Sequence, residues 1–141
     1  MLKQSIYTDD LFEFAKILGQ QTEFQEVIRL VAQKSAQLMK ADLALILMLN
    51  PDTRSTVITI IREGKFLEQK EYRNIHIHVG GWIINKGKPF ISQHIQKDDR
   101  FVKGLFDSVS VKSVAGVPLI IEDIIIGALI LIYNKPSGYL F

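Results

Sequence analysis

The amino-acid sequence predicts an α+β fold: helices pack on one face of an antiparallel sheet, and loops and short helices cover a pocket on the other. Three observations support this class. Two segments with the helical spacing of apolar residues open the chain. Several β-branched, apolar segments follow, and one of them is apolar on both sides. A stretch broken by glycine and proline, the residues of turns and short helices, interrupts the strand pattern.

Length and composition predict a single domain that spans residues 1–141. Apolar residues make up 48% of the chain and charged residues 23%, which is ordinary for a globular protein. The 17 basic and 15 acidic residues leave a net charge of +2, too small to indicate a nucleic-acid partner. Cysteine is absent, which excludes disulfides, thiolate nucleophiles, cysteine-based zinc sites and thioether-linked chromophores.

The apolar runs of the chain do not indicate a membrane segment. The sequence begins without the apolar core of a signal peptide. The longest apolar run, Ile124 to Tyr133, is about half of the ~20 residues that a membrane helix needs. We therefore expect a cytoplasmic protein that makes no membrane contact.

Two helices are predicted before the sheet. The first begins at Thr8, a hydroxyl N-cap, and ends at Gly19. Its apolar face carries Leu11, Phe14, Ala15 and Leu18. The second begins at Thr22, which has capping-box spacing to Gln25. Its apolar stripe comprises Phe24, Val27, Ile28, Val31, Ser35 and Leu38.

Three strands are predicted after these helices. Ala41 to Asn50 is apolar at successive positions, which predicts a strand covered on both faces. Ser55 to Arg62 is β-branched and returns as a hairpin, and Glu63 to Lys65 is a break. Glu71 to Val79 alternates polar and apolar residues, which predicts a strand or extended segment with one buried face.

A short helix and a short strand come next. Gly80-Gly81 opens a helix from Trp82 to Lys86, which Gly87 closes and Pro89 stops. Phe90 to Ser92 is a short strand, and Asp98 is the N-cap of a helical turn.

Two long buried strands end the predicted sheet. They run from Ser113 to Ile121 and from Ile124 to Asn134, joined by Glu122-Asp123. Gly116 and Gly127 are predicted to allow close packing of a strand on a helix, or a bulge.

The three histidines are the candidate metal ligands. His76 and His78 are two residues apart on one face of a predicted strand, and His94 can approach them in space. The alternative is that His76 and His78 are polar, solvent-facing positions of a half-buried strand. We adopt this alternative and predict no metal site.

Four other features have both a binding and a structural interpretation. The amides of Gly80-Gly81 at a helix start suit an anion or a carbonyl, whereas a tight turn would need glycine for its positive φ. Trp82 can stack on a planar ligand or fill the core. Arg100 can bind a carboxylate or a phosphate, or form a surface pair with an aspartate. Phe101 is expected to anchor its turn in the core. No motif of a hydrolase, nucleotide-binding loop or metalloprotease is present in the sequence.

The order of these landmarks resembles the GAF domain family over nearly the whole chain. The likeness rests on Ala41-Asp42 before a strand and on glycines, a helix and a Gly-x-Pro stop over residues 80–89. It continues with an Asp-x-Arg-Phe segment at residues 98–101. It ends with Val117-Pro118-Leu119, with an Ile-Gly-x-Leu strand over residues 126–129, and with Asn134-Lys135.

This resemblance implies a sensory domain without catalytic activity of its own. A small molecule would enter between the sheet and residues 72–106, and the signal would pass to an output domain in the same protein: a histidine kinase, a cyclic-dinucleotide enzyme or a transcription activator. Such domains pair as homodimers through terminal helices. The ligand-binding residues implied by position are Tyr72, His76, Gly81, Trp82, His94, Arg100 and Phe101. The sequence identifies no cofactor.

Three departures from the family pattern affect this interpretation. His94 lies where the family often has an aspartate. The family continues with a long helix after a residue such as Phe141, so we expect that this chain is a sensor region excised from a larger protein. The cyclic-nucleotide signature is begun by Asn134-Lys135 but not completed. Cysteines, which members that reduce methionine sulfoxide need, are missing.

Two other functions are compatible with the sequence. In the first, the domain binds no ligand, its own side chains fill the pocket, and it serves as a dimerisation module. In the second, the chain is a PAS-type sensor, which the two leading helices and the Gly-x-Pro stop disfavour.

Overall fold

The structure is a computed structural model that describes residues 22–49, 56–62, 65–67 and 72–134. The predicted helix over residues 8–19 lies outside these ranges. Some side chains within these ranges are also outside the description: those of the two strands between residues 56 and 67, of Leu49, and of six residues in the first turns of the first described helix.

The first described helix, α1, spans Thr22–Leu38, as the sequence predicts. It faces the sheet through small residues, since Ala32 is fully buried and Ala36 is packed against the same cluster. The predicted stripe is wrong at its C-terminal end, because Val31 and Leu38 are 42% and 81% exposed. Alanine at the contact lets the helix lie close to the sheet.

Six strands form one sheet in which every pair of neighbours is antiparallel. The spatial order is β3-β2-β1-β6-β5-β4. The strand bounds are β1 Leu43–Leu49, β2 Thr56–Arg62, β3 Lys65–Leu67, β4 Phe90–Ser92, β5 Ser113–Ile121 and β6 Ile124–Tyr133. The predicted antiparallel sheet is confirmed, with β3 added where the sequence indicates only a break.

Strand β1 is buried on both faces, as its unbroken apolar sequence predicts. Leu43 and Leu45 belong to the apolar cluster on one side of the sheet. Ala44 and Ile46 belong to the cluster on the other side, beneath α1. The core therefore has two layers, and β1 and β6 lie in the middle of both.

Strands β5 and β6 form a hairpin through Glu122-Asp123, as the sequence predicts. Both residues have positive φ, 48° and 68°. A two-residue loop of the type that matches strand twist needs positive φ at both central positions. Gly127 lies so close to Leu47 on β1 that a Cβ there would meet the backbone oxygen of Leu47, which explains the glycine by strand-to-strand contact.

Residues 73–86 are helical, so the predicted strand over Glu71 to Val79 is wrong. A π-helical turn, Ile75–Val79, runs directly into helix α2, Gly80–Lys86. The fully buried positions Ile75, Val79 and Ile83 recur every four residues, which is a helical spacing. The alternation of β-branched residues imitates a strand, but Ile77, a member of its apolar side, is 44% exposed.

Gly80-Gly81 does not form the tight turn that was the structural interpretation of the two glycines. An α-helix does begin at Gly80, as predicted, but it continues the π-helical turn before it. Gly80 has φ −59° and ψ −43° and continues the helix that precedes it. A Cβ at Gly80 would lie 2.5 Å from Leu47 Cδ2, so glycine is needed for the close approach of this helix to β1. Gly87, with φ 63°, ends α2 as predicted.

The segment after β4 contains turns. A 3₁₀ turn spans Ile95–Lys97, and Asp98 after it is extended, with φ −75° and ψ 117°. Residues 99 and 100 form a turn and not a helix, and the Phe101 N–H bonds to the Asp98 carbonyl oxygen. Asp98 therefore begins a tight turn and caps no helix. Within the described ranges, no helix is both long enough and apolar enough to cross a membrane.

Candidate functional site

The side of the sheet opposite α1 is covered by two parts of the chain. We call residues 73–86 the cover helix and residues 98–111 the cover loop. Between them and the sheet lies a cluster of buried apolar side chains that includes Leu45, Ile83 and Ile130, all at most 1% exposed. Gly116 on β5 permits this packing, because a Cβ there would lie 2.6 Å from Ile83 Cδ1 on the cover helix.

Four aromatic rings form a row along this cover. Trp82 on the cover helix meets Phe90 on β4 edge to face, with centroids 5.3 Å apart. Phe90 is 5.8 Å from Phe101, which in turn is 5.2 Å from Phe106 in the cover loop. Rings at these separations contribute stabilising contacts beyond their buried area. The row joins the helix, the edge strand and the loop.

Arg100 fastens the start of the cover loop to the sheet edge. Its Nη2 donates a 2.9 Å hydrogen bond to the carbonyl oxygen of Ile91 on β4. Its Nε and Nη2 also donate to the two carboxylate oxygens of Asp98, at 2.9 and 2.7 Å. The guanidinium lies 4.1 Å from the centroid of Phe90 and 5.2 Å from that of Trp82, which is a cation–π geometry.

Asp98 is held ionised by these contacts. The side chain of Asp98 is only 7% exposed. Hydrogen bonding from Arg100 lowers the pKa of this carboxyl from 3.8 to about 2, helped by a hydrogen bond from Ser92 and opposed by burial. The carboxylate also accepts the backbone N–H of Arg100 at 3.0 Å. The Asp98–Arg100 pair therefore closes the turn and also holds the start of the cover loop in place.

Two further residues hold the cover loop, and sequence reasoning missed both. Gln96 Nε2 donates to the carbonyl oxygens of Phe106 at 2.8 Å and Val109 at 3.1 Å. Asn74 Nδ2 on the cover helix donates to the carbonyl oxygen of Leu105 at 3.1 Å. An irregular loop must satisfy its carbonyl groups outside regular structure. No local sequence pattern marked either residue, because both precede the cover loop in the chain and bond to carbonyl groups within it.

The predicted ligand-binding residues fall into two groups and two single positions. Trp82, Arg100 and Phe101 come together around Phe90. Tyr72, immediately before the cover helix, and His76 within it are buried, 8% and 0% exposed. Gly81 is half-buried with no atom within 4 Å of a Cβ built there, and His94 is exposed just before the 3₁₀ turn.

The helical conformation of residues 75–79 also separates the histidine pair. His76 is buried and His78 is exposed, because residues two apart on a helix point in different directions. In the ranges that the structure describes, no three histidine, aspartate or glutamate side chains are placed to hold a metal ion. The amide of Gly80 is bonded to carbonyl groups of the preceding turn, so it is not part of an anion site.

The family model for the GAF domain matches residues 21–140 of this chain. The chain belongs to the GAF domain family. The resemblance seen in the sequence is therefore confirmed for both family and α+β fold class.

Solved structures with the same fold include several GAF domains and sensor proteins. The GAF domain of an Acinetobacter phosphoenolpyruvate-protein phosphotransferase is 15% identical, with a TM-score of 0.59 over 94% of this chain and 79% of its own. A domain of a sensor histidine kinase from Sinorhizobium meliloti 1021 is 18% identical, with a TM-score of 0.59 over 81% and 76%.

The name of a third neighbour includes a ligand site. NreA from Staphylococcus aureus, mutated in its nitrate binding site, is 16% identical, with a TM-score of 0.58 over 83% of this chain and 91% of its own. Identities this low show a shared fold and nothing finer. A search of curated proteins gave no match to this GAF domain.

Proposed function

We propose that this GAF domain is a sensory module that binds a small molecule between the sheet and its cover and relays the event to an output domain of the same protein. The observation that carries the proposal is the construction of the cover loop. Residues 98–111 contain no helix or strand, and the three side chains of Asn74, Gln96 and Arg100 hold them at separate points. Such a segment can open locally while the sheet stays folded.

The layer beneath the cover provides groups that a ligand can use. It is mainly apolar, and the buried His76 and the phenol-bearing Tyr72 lie on the same helix face as Ile75 and Val79. Small-molecule sites are typically apolar with a few polar groups that fix orientation. The identity of the ligand and the need for a cofactor are not specified by these residues.

The neighbours with the same fold support a sensory role. One is a domain of a sensor histidine kinase, and another, NreA, has a nitrate binding site. By analogy, the proposed output partner here is a histidine kinase, a cyclic-dinucleotide enzyme or a transcription activator, and the proposed compartment is the cytoplasm. We assign no reaction to the domain itself.

A route for the relay starts where β6 ends. The Tyr133 hydroxyl donates a 2.6 Å hydrogen bond to the carbonyl oxygen of Met39, at the C-terminal end of α1. One residue later, the Asn134 N–H donates to the Asp42 carboxylate at 2.7 Å. These bonds tie the end of α1 to the strand that leads to the rest of the chain. In the proposed homodimer, a ligand that favours one packing of the helices would shift the population of both subunits.

A second candidate function is favoured by the packing itself. Among the described residues, fifteen buried apolar side chains fill the layer between the sheet and the cover, with Trp82 and Phe101 packed against them. A domain whose own side chains occupy the ligand space would act as a ligand-free dimerisation module. The two candidates predict different results in one experiment.

The test is native mass spectrometry of the protein purified from cells, followed by a screen of metabolites and cyclic nucleotides. The sensor proposal predicts a non-covalent adduct that Trp82→Ala weakens and that Val102→Ala, a change at a 79% exposed position of the cover loop, leaves intact. A bare mass throughout the screen, with a stable dimer in the same spectra, would instead support the dimerisation module.

A further inference from the structure

The guanidinium of Arg100 lies in a corner of the cover that has the composition of a cation-binding site. The ring centroids of Phe90 and Trp82 are 4.1 and 5.2 Å from its central carbon, Cζ. The Asp98 carboxylate accepts hydrogen bonds from Nε and Nη2, and the Ile91 carbonyl oxygen accepts a further one from Nη2. Aromatic faces and carboxylates are the groups with which proteins bind organic cations. We call Trp82, Phe90, Ile91 and Asp98 the cation corner.

The walls of the cation corner are held by bonds that do not involve its occupant. Phe90 and Ile91 belong to β4, which pairs with β5, and Trp82 belongs to α2. The rings of Trp82 and Phe90 also meet each other edge to face. Ser92, a buried residue of β4, donates a hydrogen bond to the Asp98 carboxylate. The corner can therefore stay formed when the side chain that fills it leaves.

The occupant of the corner is open to solvent. The Arg100 side chain is 33% exposed, whereas that of Asp98 is 7% exposed. The backbone N–H of Arg100 makes its own 3.0 Å hydrogen bond to the Asp98 carboxylate, so the turn has a bond that does not need the guanidinium. The side chain can swing out into water while the backbone keeps this turn.

The corner favours a planar cation as a replacement. Without the guanidinium, Asp98 would be a nearly buried carboxylate that lacks its positive partner, which is costly. A guanidinium offers two parallel N–H donors to a carboxylate and stacks flat on an aromatic ring, whereas an ammonium is a compact point charge. An anion at this position would be repelled by Asp98.

We propose that the cation corner is a binding site for a small guanidinium compound, which replaces the Arg100 side chain and releases the start of the cover loop from β4. Arg100 is then a built-in occupant that keeps the loop closed when the compound is absent. A tethered group competes at an effective concentration of about millimolar, so the compound must be abundant or make contacts beyond the corner. For its biological role the inference rests on the proposed sensory function, and it names the class of the ligand.

The first test uses methylguanidinium as the probe and Trp82, the single tryptophan of the chain, as the reporter. In the 141-residue chain, Arg100→Ala empties the corner, and the probe should then change the Trp82 fluorescence in a saturable way. Urea, which has the shape of a guanidinium without its charge, should not, and neither should sodium chloride at the same ionic strength. The wild type should need about tenfold more probe, because Arg100 competes for the corner. Lys103→Ala removes the same charge from an exposed position of the cover loop and should behave like the wild type.

Thermal unfolding gives a second readout of the same binding. A compound that binds the folded state raises the Tm, so methylguanidinium should stabilise Arg100→Ala although guanidinium compounds otherwise denature proteins. The addition of Asp98→Asn should abolish this stabilisation. Arg100→Gln takes the place of Arg100→Ala if the alanine variant does not fold.

Amide exchange in the wild type tests the displacement itself. Exchange over residues 99–106 should rise as the probe fills the corner, while exchange in β6 stays slow. A probe that affects Arg100→Ala no more than urea does would overturn the site. Unchanged loop exchange in the saturated wild type would overturn the displacement of Arg100. A non-covalent adduct of different chemistry in the native mass spectra, with no binding of methylguanidinium, would overturn this inference and leave the sensory function standing.

Discussion

Arg100 and Ile91 connect the two sides of this sheet. The Nη2 of Arg100 donates a 2.9 Å hydrogen bond to the carbonyl oxygen of Ile91, while the Ile91 side chain lies on the opposite, helix-bearing face, 47% exposed. Movement of the cover loop would therefore reach the helix-bearing face through the backbone of the three-residue strand β4.

Replacement of Arg100 should loosen the cover without unfolding the sheet. Arg100→Gln removes the paired donors from the nearly buried Asp98 carboxylate and the bond to Ile91. We expect a loss of ~1–3 kcal/mol in the free energy of unfolding, the range for hydrogen bonds to charged groups. Urea unfolding measures it. Lys103→Gln, at an exposed position in the same loop, is the control and should change stability by less than ~0.5 kcal/mol. Equal effects of the two variants would contradict the fastening role.

Acid should weaken the same contact within a defined pH window. The pKa of Asp98 is lowered from 3.8 to about 2, so the folded state binds this proton less tightly than the unfolded state does. Its contribution to stability is therefore present above the ordinary pKa and is lost as the pH falls from about 4 to about 2. Unfolding free energies of the wild type and Asp98→Asn should converge across this window. A difference that stays constant with pH would assign the effect to geometry alone.

Gln96 can be tested with an isosteric change. Gln96→Glu replaces the Nε2 donor by an oxygen that faces the carbonyl groups of Phe106 and Val109. A buried acceptor left without a donor is costly, so amide exchange over residues 98–111 should rise while exchange in β6 stays slow. Gln93→Glu, an exposed change nearby, is the control. If exchange in the cover loop were the same in both variants, Gln96 would not be what holds the loop.

Two glycine-to-alanine changes should have opposite effects. Gly127→Ala places a methyl group against the Leu47 backbone oxygen and should destabilise the protein by ~1–3 kcal/mol through overpacking. Gly81→Ala meets no atom within 4 Å and lies in a helix, so it should stabilise by roughly 0.5–1 kcal/mol. Thermal unfolding measures both. A stabilising Gly127→Ala would refute the close approach of β6 to β1.

The elements whose apolar pattern fits one type of secondary structure better than the other were predictable from the sequence. The length and flanks of the apolar run around Leu45 favoured a strand buried on both faces. The two-residue gap after Ile121 indicated a hairpin, although Glu122 and Asp123 are not favoured turn residues. The cover helix was missed because Ile75, Ile77 and Val79 recur at every second position, as in a strand, and are β-branched residues, which strands favour. The contact of the helix with β1, made possible at Gly80, decides between the two.

The candidate site, too, was predictable from the sequence only in part. The Asp-x-Arg-Phe landmark of the family pointed to Arg100 and Phe101 from the sequence, because it is a local pattern of four residues. The roles of Gln96 and Asn74 depend on carbonyl groups 10 to 31 residues away, which no local pattern records. The sequence also could not show that Tyr72 and His76 lie apart from Trp82, because that separation depends on residues 73–86 being helical.

The sequence by itself determined the family, the α+β class, most strands and the first described helix, since hydrophobic period and turn residues act over a few neighbours. Only the tertiary structure decided that part of the cover is helical, that Arg100 fastens the cover loop to Ile91, and that the side chains of Ile91 and Val117 are exposed. These depend on distances between residues far apart in the chain, and those distances are set by packing of the whole core.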